Sequence, residues 1–156
     1  MATTEYNPEN DRRNRSQDKL ATLVKTRTET LSRYTELANH RPFVQNQEIT
    51  ESLQEFCQVL IDYTASAHFQ LYRYITDKLE RRTAVLKLAD SVYPHIAQTT
   101  DAILRFNDKY DGADLLTSEK KLLKLLDEDL SKLGETLAER IQLEDKVIGA
   151  LTGQLH

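Results

Sequence analysis

Leu53 to Tyr72 reads LQEFCQVLIDYTASAHFQLY. At about 100° per residue, Leu53, Cys57, Leu60, Thr64, Ala67, Leu71 and, just beyond, Ile75 fall on one seam. Phe56, Tyr63 and Tyr74 flank that seam on one side; Ile61, His68 and Tyr72 flank it on the other. The opposite face carries Glu55, Asp62, Ala65, Ser66, Phe69, Arg73 and Thr76. A seam, two flanks and a polar back describe an amphipathic helix, predicted from about Thr50, a plausible N-cap, to about Leu79. Phe69 is out of place: an aromatic on the polar face, beside small Ala65 and Ser66, with Asp62 and Arg73 at the rim. Either a neighbouring segment covers it as a satellite core, or it belongs to a protein-docking patch.

The rest of the chain repeats the helical pattern. A first helix is predicted from near Ser16 to about Asn39, with Leu20, Leu23, Val24, Leu31, Tyr34 and Leu37 at helical spacing. Pro42 biases Arg41 out of helix, so NHRPFVQNQ is a connection. A third helix starts near Thr83. Pro94 is expected to interrupt it after about Ser91, with a restart running to Tyr110. Gly112 in YDGADLLTSE suits a C-cap, and Thr117 or Ser118 can cap a last helix to about Leu151. Residues 1–15 are polar and are expected to form a mobile N-terminal tail. Residues 16–152 are then a single domain. The predicted fold is all-α: an antiparallel four-helix bundle with one Pro-interrupted helix.

Composition agrees. The chain has 156 residues, 29% of them charged, with 4 glycines, 3 prolines and no tryptophan, which favours helices over sheet. The formal net charge is −4. A general nucleic-acid binder needs a dominant basic patch, and the short basic runs RRNR and LERRTAVLK read as solvated faces. No direct nucleic-acid partner is expected. No apolar run approaches the ~20 residues of a membrane span, and MATTEYNPENDRRNRS is no secretory signal. One cysteine forms no internal disulfide, so a cytoplasmic location is the default.

The last helix has a seam of Leu122, Leu126, Leu130, Leu133, Leu137, Ile141, Ile148 and Leu151. Glu144 falls on it and Arg140 beside it, four residues apart. An unpaired buried charge costs several kcal/mol, so these two are expected to form an internal polar cluster, joined by His68 or a tyrosine hydroxyl. The alternative is a catalytic acid or a metal carboxylate. Gly134 is expected to permit close helix approach. A di-iron bundle needs Glu-x-x-His on two helices, and the chain has none. His40, His68, His95 and His156 make no i, i+4 pair. Cys57 reads as a small core hydrophobe. No Gly-rich phosphate loop is present. Neither an enzyme nor a cofactor or small-molecule substrate is expected.

Leu53–Tyr72, VYPHI (Val92 to Ile96) and LGETLAERIQLEDKVI (Leu133 to Ile148) together resemble the regulator of sigma D family, Rsd/AlgQ. In the first stretch Phe56, Cys57, Leu60, Asp62, Tyr63, His68, Phe69 and Tyr72 match that family's pattern in register. In the last, Leu133, Gly134, Glu135, Leu137, Arg140, Leu143, Glu144, Asp145 and Ile148 match. AILRFNDKYD is similar to the family's third long helix. The first helix departs, reading Ala21, Thr22 and Leu23 where the family tends to Asp-Arg-Trp. The resemblance implies an anti-sigma factor, a non-enzymatic bundle that binds the primary sigma factor. The partner surface implied is region 4, which reads the promoter −35 element, and primary-sigma transcription falls. It places the family's sigma-binding Asp on Asp62. With Ala65, Ser66, Phe69 and Arg73, this residue makes the candidate sigma-binding strip. An acid there suits a partner whose phosphate-facing residues are Arg and Lys. Two other readings stay open: a hemerythrin-like metal or redox bundle using His68 and Glu144, and a stationary-phase regulator acting through another protein.

Overall fold

The computed structural model describes residues 8–72, 82–116 and 119–153, and the side chains of these from Leu20 onward. Among the described residues the chain forms four long helices and no strand. They are α1 (Pro8–Ala38), α2 (Gln47–Ala67), α3 (Thr83–Tyr110) and α4 (Lys120–Leu151). α2 runs on into one π-helical turn, His68–Tyr72.

Cross-helix pairs set the directions. Thr30 and Arg33 of α1 meet Val59 and Glu55 of α2. Phe56 and Tyr72 on the α2 side meet Phe106 and Tyr93 of α3. Thr100 and Lys109 of α3 meet Arg140 and Asp129 of α4. Arg27, Tyr34 and Arg41 in the α1 region meet Asp145, Leu130 and Asp127 of α4. In every pair the numbers rise on one helix as they fall on the other, so neighbours are antiparallel. The core is one cluster that includes Leu23, Leu37, Leu53, Phe56, Leu60, Leu71, Ile103, Leu126 and Leu130.

Several boundaries differ from expectation. α1 begins at Pro8, inside the segment expected to be tail; proline suits the first helical position, and a polar first turn leaves no apolar period to read. The α2 N-cap is Asn46, not Thr50. Its Oδ1 accepts from the backbone N–H of Glu48 at 2.7 Å and of Ile49 at 3.4 Å. Thr50 instead accepts from the N–H of Leu115, at 3.2 Å, tying α2 to the α3–α4 connection. α3 is not interrupted: it passes unbroken through Pro94. Proline withdraws the hydrogen bond to Asp90 C=O, but the core-facing positions Val85, Ala89, Val92, Ile96, Thr99 and Ile103 stay buried along it. The predicted end of α2 at Leu79 lies outside the described residues. The N-cap of α4 is Glu119, which makes no side-chain cap bond, in place of the expected Thr117 or Ser118, both outside the described residues. Gly112 sits just past α3 with φ +77°, the left-handed turn expected of it.

The buried stripe of α4 is Leu123, Leu126, Leu130, Leu133, Leu137, Arg140, Glu144 and Val147. Leu123 and Val147 are its ends in place of the expected Leu122 and Leu151, and the expected Ile141 and Ile148 are only half-buried, while Val24 and Leu31 of α1 are exposed. Gly134 lets α1 approach: a Cβ there would stand 2.2 Å from Tyr34 Oη, whose hydroxyl donates to Leu130 C=O at 2.9 Å. No helix among the described residues is long and apolar enough to cross a membrane.

Candidate functional site

Arg140 and Glu144 are one turn apart on α4, and both are 0% exposed. Arg140 Nε donates to Glu144 Oε2 at 3.2 Å and to Tyr63 Oη at 3.2 Å. Its Nη1 donates to Thr99 and Thr100 Oγ1 at 3.1 and 2.8 Å. Glu144 accepts from the Tyr63 hydroxyl at Oε1 and from the Tyr72 hydroxyl at Oε2, the latter at 2.9 Å. Arg27 of α1 comes within 3.7 Å of Glu144 Oε1 and binds Asp145 at 2.8 Å. All four helices therefore contribute to one polar cluster. The guanidinium also lies over the Tyr63 and Tyr72 rings, 5.5 and 5.7 Å from their centroids.

This wiring explains how two charges stand in a leucine core, where an unpaired ion would cost several kcal/mol. Burial and then the nearby Glu144 carboxylate push both tyrosine hydroxyls far above their ordinary range, so each stays protonated and donates. Burial works against the Arg140 cation, but Tyr72, Tyr63 and Glu144 outweigh it and hold its pKa up.

His68, expected as a candidate third member, is exposed and takes no part in these bonds. The π-turn accounts for this. Tyr63 and Tyr72 are nine positions apart, roughly 180° around a regular α-helix, which is why the wheel set them on opposite flanks. A π-turn spends an extra residue per turn and so reduces that rotation. Tyr72 swings inward to Glu144, and His68 stays at the surface, its ring 5.4 Å from that of Phe69 in an edge-on contact. Thr99, Thr100 and Arg27 carried no sequence signal beyond being polar residues near a seam.

The outer strip is brought together in part. Asp62, Ala65 and Phe69 are exposed on one side of α2 and its π-turn, Phe69 by 58%. Asp62 Oδ1 accepts from Gln58 Nε2 at 3.1 Å. Ser66 is turned inward: it is half-buried and its hydroxyl is shielded. Arg73 lies outside the described residues. Leu104 of α3, which the wheel of α2 could not reveal, adds a 42% exposed apolar side chain. Between it and α2 opens a cleft of about 360 Å³, lined by Ala65, His68, Phe69, Leu104 and, from below, Arg140.

Among the described residues no group of three or more His, Cys, Asp or Glu side chains stands ready to hold a metal ion. Cys57 is buried, and burial, then the charge of Asp111, pushes its thiol up to about 12. It stays a thiol at neutral pH.

The sequence model of one family, described as regulator of RNA polymerase sigma(70) subunit, Rsd/AlgQ, matches residues 3–152. A regulator of sigma D from Yersinia enterocolitica is 31% identical over 99 residues, 63% of this chain and 58% of that protein. One from Salmonella arizonae is 32% identical over 106 residues, 68% of this chain and 63% of that protein. The matched part of the chain thus spans about three-fifths of the length of these curated relatives. No solved structure matches the chain. With the Arg140–Glu144 pair and the Asp62-to-Phe69 strip both inside the matched residues, the chain belongs to the Rsd/AlgQ family of regulators of the RNA polymerase sigma(70) subunit.

Proposed function

We propose that this protein is an anti-sigma factor: it binds region 4 of the primary sigma factor and lowers primary-sigma-dependent transcription. The observation that carries the reading is the exposed strip of Asp62, Ala65 and Phe69 in a chain of this family. Asp62 offers a carboxylate to the Arg and Lys side chains with which sigma holds promoter phosphates. Phe69 is the apolar anchor, an exposed aromatic of the kind that concentrates binding energy at interfaces. Occupying that surface would deny sigma its promoter contact, so the regulation needs no catalysis and no cofactor. A cytoplasmic location goes with it.

The test is titration of the purified chain with full-length primary sigma factor and with sigma lacking region 4. Asp62→Ala and Phe69→Ala should each weaken binding about tenfold or more while helical content is unchanged. Affinity for truncated sigma equal to that for intact sigma would remove region 4 from the reading. Wild-type affinity in both variants would remove the strip.

A further inference from the structure

The Arg140 guanidinium has five N–H donors. Nε is taken by Glu144 and Tyr63, and Nη1 by Thr99 and Thr100. The two N–H groups of Nη2 enter no hydrogen bond among the described residues. Yet Arg140 is 0% exposed, and it lines the cleft of about 360 Å³ beneath Ala65, Phe69 and Leu104. Glu144 takes no hydrogen bond from Nη2. Both its oxygens already accept from tyrosine hydroxyls, Oε2 accepts from Nε as well, and Arg27 supplies it with a second cation at 3.7 Å. The cleft therefore has apolar walls, one buried cationic donor at its floor and His68 among its exposed lining residues.

Apolar walls with a single placed charge are the usual composition of a small-ligand site, and the volume is within the usual range. Among the described lining residues a phosphate ester finds one guanidinium and no lysine or second arginine. A cationic side chain from a promoter-binding partner meets a like charge. A carboxylate on a compact apolar body satisfies both the floor and the walls. We infer that the cleft between α2 and α3 binds a small apolar carboxylic acid, its carboxylate on Arg140 Nη2 and its body against Phe69 and Leu104. No sequence motif announces this site, because its charge and its walls come from three different helices.

The probe is 4-phenylbutyrate, with 4-phenylbutyramide as its uncharged match, titrated into the full ¹⁵N-labelled chain and followed by amide chemical shifts. The acid should give saturable shifts at the amides of Ala65, Phe69, Thr100 and Leu104, with an affinity at least about tenfold above that of the amide. Because Arg140 variants disturb the core, the test of charge uses an exposed wall position. Leu104→Glu should abolish the preference for the acid by like-charge repulsion, and Leu104→Gln should retain it. Three results would overturn the inference: no saturable shift up to about 10 mM, equal affinity for acid and amide, or identical behaviour of the Leu104→Glu and Leu104→Gln chains. The first would mean that the cleft holds no such acid on Nη2.

Discussion

Glu144 receives two tyrosine hydroxyls and one guanidinium in a space closed to water, so removing it differs in kind from removing a hydroxyl. Glu144→Leu leaves the Arg140 cation buried without its carboxylate, a loss of about 3–5 kcal/mol. Tyr63→Phe or Tyr72→Phe leaves the charge pair standing and should cost about 1.5–3 kcal/mol. Urea unfolding followed by circular dichroism reads this order; equal losses would mean that the pair is not what the tyrosines serve. Cys57, 1% exposed with its thiol pushed up to about 12, should resist a thiol reagent at pH 7 in the folded chain and react promptly in urea. Fast labelling of the native chain would contradict its place in the core. The residues of this cluster divide by legibility. Arg140 and Glu144 could be read because charges on a leucine seam must pair. Of the two joining groups expected, the tyrosine hydroxyl is present and His68 is not, because a wheel of constant pitch has no π-turn in it. Thr99 and Thr100 were silent, since a threonine on a helix looks the same whether its hydroxyl serves a backbone carbonyl or an arginine.

At the level of the helix, Gly134 sets two effects against each other. Alanine in a helix interior gains about 1 kcal/mol over glycine. Here its Cβ would lie 2.2 Å from Tyr34 Oη and 2.9 Å from Cζ, and overpacking costs about 1–3 kcal/mol, with the Tyr34–Leu130 hydrogen bond at risk besides. Gly134→Ala should therefore destabilise the chain by about 1 kcal/mol. In a Tyr34→Ala background the same change should become neutral or stabilising. Thermal melts of the four chains decide; destabilisation in both backgrounds would show that the tyrosine is not the obstacle. Helix existence was legible throughout, because every long segment has an apolar stripe of the right period. Helix ends and continuity were less so. Pro94 reads as a break, yet one lost hydrogen bond is outweighed when buried side chains on both sides hold α3 in line. Pro8 reads as tail because a polar first turn has no stripe. The cap falls on Asn46 rather than Thr50 because Ile49 is already a buried residue of the helix.

Across the whole molecule, the antiparallel order of four helices followed from stripes joined by short polar connections, and the cross-helix pairs agree with it at every neighbour. Away from the Arg140 cluster, Asp129 of α4 accepts from Lys109 Nζ at 2.7 Å and from Tyr110 Oη at 2.6 Å, linking α3 to α4. Burial alone would raise the Asp129 pKa, but the Lys109 and Tyr110 hydrogen bonds and the lysine charge bring it below its ordinary 3.8. A depressed carboxylate stabilises the fold above its unfolded value and loses that contribution as pH falls through the folded value. The link is partly solvated, so its worth is about 1 kcal/mol or less. Asp129→Asn should show that deficit near pH 7, and the gap between variant and wild type should close as pH falls well below 3.8. A gap constant from about pH 7 to about pH 2 in urea midpoints would assign the loss to packing instead. The polar cluster has a consequence of another sort. Helices faced with leucine can slide past one another by a turn, about 5.4 Å, and meet almost equivalent leucines. Because α1, α2 and α3 each bring a different polar group to the same two residues of α4, such a slide would strand an ion in hydrocarbon. The cluster thus acts as an index mark that admits one alignment of the four rods, and with it one placement of the surface that Phe69 presents.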